Sequence, residues 1–238
     1  MLVVGAYEKC KRYIEQHSSE SFQKREIFPC VTISRQTGSG AYEVSSNLIS
    51  ILDEKSIQPD VQWTYFNKEL LAKVLEEFNL PKAFSHYIGE HKYSHINDAV
   101  SELLGVKPSE WTIVHRTTEI ILQLAHFGKT IIVGRGSNVI TSKLPNCFHI
   151  KLVAPLENRL NHVQDIFDFT KSEAIEYIAQ EDAHKKKFLK THFFRDPDDL
   201  TLYHLVLNTG KLSYNDCASI IADSLMEKYP KCFERKLN

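Results

Sequence analysis

"ISRQTGSGAYEVS", residues 33–45, stands between an apolar, β-rich run and a helical pattern. A strand, a glycine-rich turn and a helix start in that order form an anion site from backbone N–H groups and the positive end of the helix. Gly38 and Gly40 permit the left-handed turns that such a nest of amides requires. Phosphate loops normally continue with a lysine and then a Ser or Thr, but this chain has Ala41, Tyr42 and Glu43. A G-S-G also serves ordinary tight turns. The surrounding residues must therefore decide between a nucleotide site with cations supplied from elsewhere and a structural turn.

Outward from the loop the chain alternates. "CVTIS" (30–34) reads as the strand before it, and a helix is expected from about Ala41 to Glu54. "VQWTYF" (61–66) is a second strand candidate, with Asn67 placed to cap "KELLAKVLEEF". "KTIIVG" (129–134), "FHIKLVA" (148–154) and "YHLVLN" (203–208) are three more apolar, β-branched runs. In "WTIVHRTTEIILQLAHFG", helical spacing puts Ile113, Thr117, Ile120, Ile121 and Leu124 on one face, with Gly128 as the stop. Pro155 suits the first turn of the next helix. Thr170 with Glu173, and Ser213 with Asp216, have capping-box spacing ahead of helical patterns. Strand–helix alternation of this kind predicts an α/β fold with a parallel sheet covered on both faces. Residues 79–110 are too long for a simple crossover and are expected as a helical insertion over the carboxyl edge of the sheet, where ligands bind in such folds.

Composition narrows the function classes. The 238 residues are 42% hydrophobic and 25% charged, with a formal charge of −1. Such a balance argues against a protein built to coat nucleic acid or an anionic membrane. No apolar stretch approaches a membrane span, and the start "MLVVGAYEKCKRYIEQ" turns charged too early for a secretory signal. Cys10, Cys30, Cys147, Cys217 and Cys232 are scattered and odd in number, which predicts reduced thiols in a cytoplasmic protein.

A polyphosphate needs cations as well as amide dipoles. Arg35 lies inside the loop, Arg135 stands in "VGRGSN" after the third strand, and Arg159 follows "LVAP" on the next helix. The run "EDAHKKKFLK" (181–190) adds lysines whose charges Glu181 and Asp182 can hold from one turn away, although such a run also suits a plain solvated helix face. His86, His91 and His95 form an H-x4-H-x3-H series, but no Cys or Asp completes a tetrahedral zinc set, so surface or packing histidines are the reading.

Taken together, "VTISRQTGSG", "YFNKELL", "WTIVHRTTE", "IIVGRGSNVI", "FHIKLVAPLENR" and "YHLVLNTGKLS" resemble, in order and spacing, the cytidylate kinase-like family within the P-loop nucleoside monophosphate kinases. The resemblance runs over about residues 28–225. It implies a three-layer P-loop kinase fold with a five-stranded parallel sheet, residues 28–230 forming the domain after an N-terminal helix and linker (1–27). An acceptor-binding insert at about 67–128 and a mobile lid at about 160–195 follow from the same likeness.

The family reads G-S-G-G-R-E at the loop, so a missing lysine there is its normal state. By resemblance, Gly38, Ser39 and Gly40 cradle the donor phosphates of ATP, and Arg35, Arg159 and Lys185 share the charge around the transferred group. Arg135 and Asn138 serve the acceptor, and Asn208 and Thr209 lie beside the adenine. Mg²⁺ is expected mainly on phosphates and water, with Glu43 on the donor side anchoring one of those waters.

Tyr42 replaces the loop arginine, Ala183 replaces one lid arginine, and Lys185 replaces another. The acidic pair flanking Gly-Arg in bacterial cytidylate kinases is absent, with Val133 and Gly136 in its place. Two readings stay open: ATP-dependent phosphoryl transfer to a small acceptor such as a nucleoside monophosphate, and a nucleotide-binding regulatory protein with weak or no activity. Neither involves a membrane or nucleic acid.

Overall fold

The computed structural model describes residues 7–14, 28–57, 61–78 and 110–233. The expected insertion at 79–110, with His86, His91 and His95, lies outside them apart from its last residue.

Five strands make one all-parallel sheet: β1 (Cys30–Arg35), β2 (Thr64–Phe66), β3 (Thr130–Val133), β4 (Cys147–Val153) and β5 (Leu205–Asn208), in the order β2-β3-β1-β4-β5. The central strand is β1, whose Cys30 pairs with both Thr130 and Cys147. Its alternate residues feed two cores, as a two-residue side-chain period requires. On one face Val31 and Ile33 join Ile150 and Leu152 beneath α2 (Ala41–Lys55) and α8 (Tyr214–Lys228). On the other, Cys30, Ile132 and Phe66 meet three helices: α1 (residues 7–14), α3 (Lys68–Phe78) and α4 (Glu110–Phe127).

Residues 7–14, which the sequence sets apart from the domain, pack on it. Cys10, Tyr13 and Ile14 are buried in the second core, and the Tyr13 hydroxyl donates to the Gly128 carbonyl at 2.5 Å.

The helix signals have visible physical causes. Asn67 caps α3 by accepting from the Leu70 N–H at 2.9 Å. Both capping boxes form with reciprocal bonds, Thr170–Glu173 at the start of α7 (Lys171–Phe193) and Ser213–Asp216 at the start of α8. Gly128, at φ 76°, ends α4. All five cysteines are free and buried.

Three expectations need correction. The run 61–66 forms a strand only from Thr64, because the Trp63 N–H turns to the Asp53 carboxylate at 2.8 Å. The run 203–208 forms a strand only from Leu205, since the Tyr203 N–H closes a 3-10 turn onto Leu200 and the first bond to β4 is that of the His204 N–H. Ile113 is exposed among the described residues, while Thr117, Ile120, Ile121 and Leu124 are buried as the helical face requires.

A third, smaller core belongs to the helix pair after β4. Leu160 and Val163 of α6 (Leu156–Phe167) pack on Ala174 and Ile178 of α7. This pair is the segment that the resemblance assigns to the lid. Between β3 and β4 lies the short helix α5 (Ser137–Ile140), where the strand–helix alternation puts one.

Buried Asn146 ties β1 to α4 by donating to the carbonyls of Phe28, at 2.9 Å, and Ala125, at 2.7 Å. Asn146→Ala leaves both oxygens unpaired and should lower the free energy of unfolding by about 2–3 kcal/mol, measured by urea titration.

Candidate active site

The loop is held from three sides. After β1, the Gln36 N–H continues the pairing to Leu152 at 3.1 Å, and the Ser39 hydroxyl donates back to the Gln36 carbonyl at 2.8 Å. Gly38 and Gly40 take φ values of 80° and 72°. Neither could carry a side chain. A Cβ on Gly38 would lie 2.6 Å from the Arg159 carbonyl oxygen, and one on Gly40 would lie 2.1 Å from the Tyr214 ring. The glycines therefore answer to packing as well as to turn geometry. Gly40 precedes α2 with no side-chain cap, so the first N–H groups of that helix keep their positive end for a ligand. Thr209 lies alongside, its hydroxyl donating to the Ser39 carbonyl at 3.0 Å, while the Asn208 side chain accepts from the Gly210 N–H at 3.0 Å.

The cations divide into two groups. Arg159, on the first turn of α6, reaches Asp182 of α7 at 2.6 Å and the Thr37 carbonyl at 3.4 Å. Lys185, one turn beyond Asp182 on α7, lies 3.4 Å from its carboxylate and also donates to the Thr37 hydroxyl. These two stand over the start of the glycine loop.

Arg35 does not. Its side chain turns from β1 towards β3, so close to Gly134 that a Cβ there would lie 2.1 Å from Nη1. Burial lowers its basicity, opposed by Tyr65, Glu69, Glu181 and Asp182. Arg135 faces the same space from the next loop. It sits at φ 57° between Gly134 and Gly136, which are left-handed too, and its guanidinium lies 5.5 Å from the Phe188 ring centroid. Burial again lowers its basicity, with Glu69 opposing and Arg35 adding to the effect.

Between these groups lies a cleft of about 500 Å³, walled by Arg35, Arg135, Asn138, Lys151, Lys185 and Phe188 among others. Asn138 is 5% exposed, and its amide nitrogen has no hydrogen-bond partner among the described residues. Lys151 is buried on β4, donating to the Pro197 carbonyl at 2.6 Å and to Asp198 at 3.2 Å.

Sequence reading missed how the lysine run is anchored. Lys186 reaches Asp198 at 2.6 Å and Lys190 reaches Asp196 at 3.1 Å, so the acidic "DPDD" turn holds the far end of α7. Of the expected local pairs, Asp182–Lys185 forms, whereas Glu181 lies beside His184 at 3.9 Å.

Glu43 lies on the first turn of α2 and faces α6. One carboxylate oxygen is 3.5 Å from His162 Nε2, without hydrogen-bond geometry, and stays buried with no hydrogen-bond partner among the described residues. Burial alone would raise the Glu43 carboxyl, but His162 and a backbone N–H hold it below the ordinary range. Glu43 in turn raises His162, against the effect of burial.

The chain's own groups fit a magnesium–nucleotide in part. The glycine turns, the uncapped helix start and the cations suit a polyphosphate. No cluster of three or more metal-ligating side chains occurs among the described residues, so a magnesium ion would depend on the phosphates and water.

The five-stranded parallel sheet with its loop after β1 is an α/β P-loop kinase fold. Residues 30–211 match the cytidylate kinase-like family, and the chain belongs to that family. An uncharacterized protein from Eubacterium ventriosum has the same fold, with a TM-score of 0.63 and 16% identity over 84% of this chain and 98% of that one. Shikimate kinase from Acinetobacter baumannii is more distant, with a TM-score of 0.45 and 15% identity over 89% and 96% of the two chains. A uronate isomerase from Corynebacterium glutamicum is 26% identical over 100 residues; these are 42% of this chain and only 19% of that protein's length.

The Glu43–His162 pair gives a pH signature. A depressed carboxyl pKa adds stability that is lost as pH falls through the folded value, and a raised imidazole pKa adds stability that is lost as pH rises through its own. His162→Gln should therefore cost most between about pH 4.5 and 6.5, where both partners carry charge, and progressively less towards alkaline pH. Unfolding titrations of both proteins across that range measure the difference.

Proposed function

We propose that the chain transfers a phosphoryl group from ATP to a small anionic acceptor of the nucleoside monophosphate class. One observation carries this reading: Arg35, Arg135 and Lys185 line one cleft at the carboxyl edge of the sheet, and Arg159 reaches its Asp182 wall and Thr37 of the glycine loop that precedes the uncapped start of α2.

ATP, when bound with Mg²⁺, supplies the phosphoryl group and the metal's charge. The residues supply position and neutralisation, which is most of what this chemistry asks of a protein. The amides of Gly38, Ser39 and Gly40 and the first turn of α2 would hold the donor phosphates. Thr209 keeps Asn208 against the loop on the side assigned to the adenine. Glu43, on the first turn of α2 beside the loop, is the carboxylate that could take a magnesium-bound water.

Arg159 and Lys185 face the loop from the lid and would meet charge on the transferred group. Arg35 and Arg135, turned towards β3, would hold the acceptor's phosphate, and the unpartnered Asn138 amide offers it a further donor. The assignment made from sequence has Arg35 share the charge around the transferred group; this reading moves it to the acceptor's phosphate. The lid's substitutions favour one second reading, a nucleotide-binding regulatory protein. Release of ADP from ATP in a screen of nucleoside monophosphates tests the proposal, and binding without turnover under every acceptor would favour the regulatory role.

With an acceptor in hand, Arg135→Ala should raise its KM about 10- to 100-fold while ATP affinity changes little. An equal loss of ATP affinity would place Arg135 on the donor side.

Lys185 provides a second check. Burial and the nearby Arg35 lower its pKa to about 8, against the pull of Asp182 and Glu181. The ammonium loses its proton as pH rises through that value, so kcat/KM should fall above pH 8. Lys185→Arg, which stays charged, should keep the profile flat there.

A further inference from the structure

The cations over the glycine loop already hold an anion from the chain itself. Asp182 reaches down from the middle of α7, and one of its oxygens accepts from the Thr37 N–H at 2.8 Å and the Thr37 hydroxyl at 2.6 Å. That oxygen also lies 3.4 Å from Lys185 Nζ, and the second accepts from Arg159 Nη1 at 2.6 Å. A loop amide, a hydroxyl, a guanidinium and an ammonium thus surround one carboxylate. That is the set of donors a phosphate takes at such a loop.

We propose that Asp182 stands in for a donor phosphate when the site is empty, latching α7 to the glycine loop, and leaves Thr37 when a polyphosphate enters. The inference rests on reading the loop as the donor site.

The charges explain why the latch holds. Burial would raise the Asp182 carboxyl, but the Thr37 hydroxyl and N–H, with Lys185 and Arg159, keep it below the ordinary range and ionised at neutral pH. Without that carboxylate, two half-buried cations would face each other across Thr37, which is costly. An exchange of one anion for another avoids this state. Polar contacts, not a packed core, join the middle of α7 to the glycine loop. The helix pair has its own small core, and the far end of α7 rests on Gly136 through Leu189 and Phe193. Asp182 therefore fixes the stretch between two separately packed ends, and acts as a positioning residue for Arg159 and Lys185.

Inorganic tripolyphosphate is the probe, since it tests the latch without an acceptor or turnover. By calorimetry at fixed ionic strength, a folded Asp182→Asn protein should bind it at least about threefold tighter than the unaltered chain, because a competing charge is gone. Equal or weaker binding, while the unaltered chain binds, overturns the latch and leaves the donor site standing. If neither protein binds tripolyphosphate, the donor-site reading falls and the latch with it. A crystal structure of the unaltered chain with tripolyphosphate decides the matter independently of how the variant folds. Asp182 displaced from the Thr37 N–H by a phosphate oxygen supports the exchange; tripolyphosphate bound while Asp182 still accepts from Thr37 refutes it.

Discussion

Parallel pairing of β1 between β3 and β4 is the constraint on which the rest of the molecule depends. Because Cys30 is level with both Thr130 and Cys147, the three strands start together and end within a short stretch, β3 level with Ile33 and β1 level with Leu152, so the turns that follow them meet at one edge. Arg35, Gly134 and Ala154 belong to those turns or border them. Gln36 then bridges two of them, accepting the Ala154 N–H at 3.0 Å through its side chain. The site is a consequence of register before it is a consequence of any particular side chain.

What that edge assembles is a cluster of mostly half-buried positive charge, much of it set against carboxylates. Arg159 and Lys185 share Asp182, Lys151 and Lys186 share Asp198, and Arg35 and Arg135 face Glu69 and Glu181 at longer range. Two of the lysine partners come from the turn after α7, so that helix is tied down at its end by exposed ion pairs and in its middle by a sheltered one. Salt weakens the first kind far more than the second.

Much of the architecture was legible because its signals are local. The two capping boxes need residues three apart, Gly128 stops a helix it adjoins, and the loop after β1 announces itself within a few residues. The strand runs at 61–66 and 203–208 were read too long, since apolar β-branched composition does not reveal that Trp63 and Tyr203 send their N–H groups elsewhere. The site residues could be named from the pattern, but their sides could not. Arg35 is adjacent to the loop in sequence yet reaches across to Gly134. The Thr37–Asp182 contact joins positions 145 residues apart, and no periodicity encodes it.

Arg135 shows what the molecule gives up for this arrangement. It is a long side chain held at φ 57°, in the middle of three consecutive left-handed residues. A non-glycine residue in that region costs on the order of 1–2 kcal/mol of local backbone energy. A chain optimised for thermal endurance alone would place glycine or asparagine there. Libraries screened for heat resistance should drift towards those residues and shed the guanidinium as they do, so durability and charge in the cleft pull this one position in opposite directions.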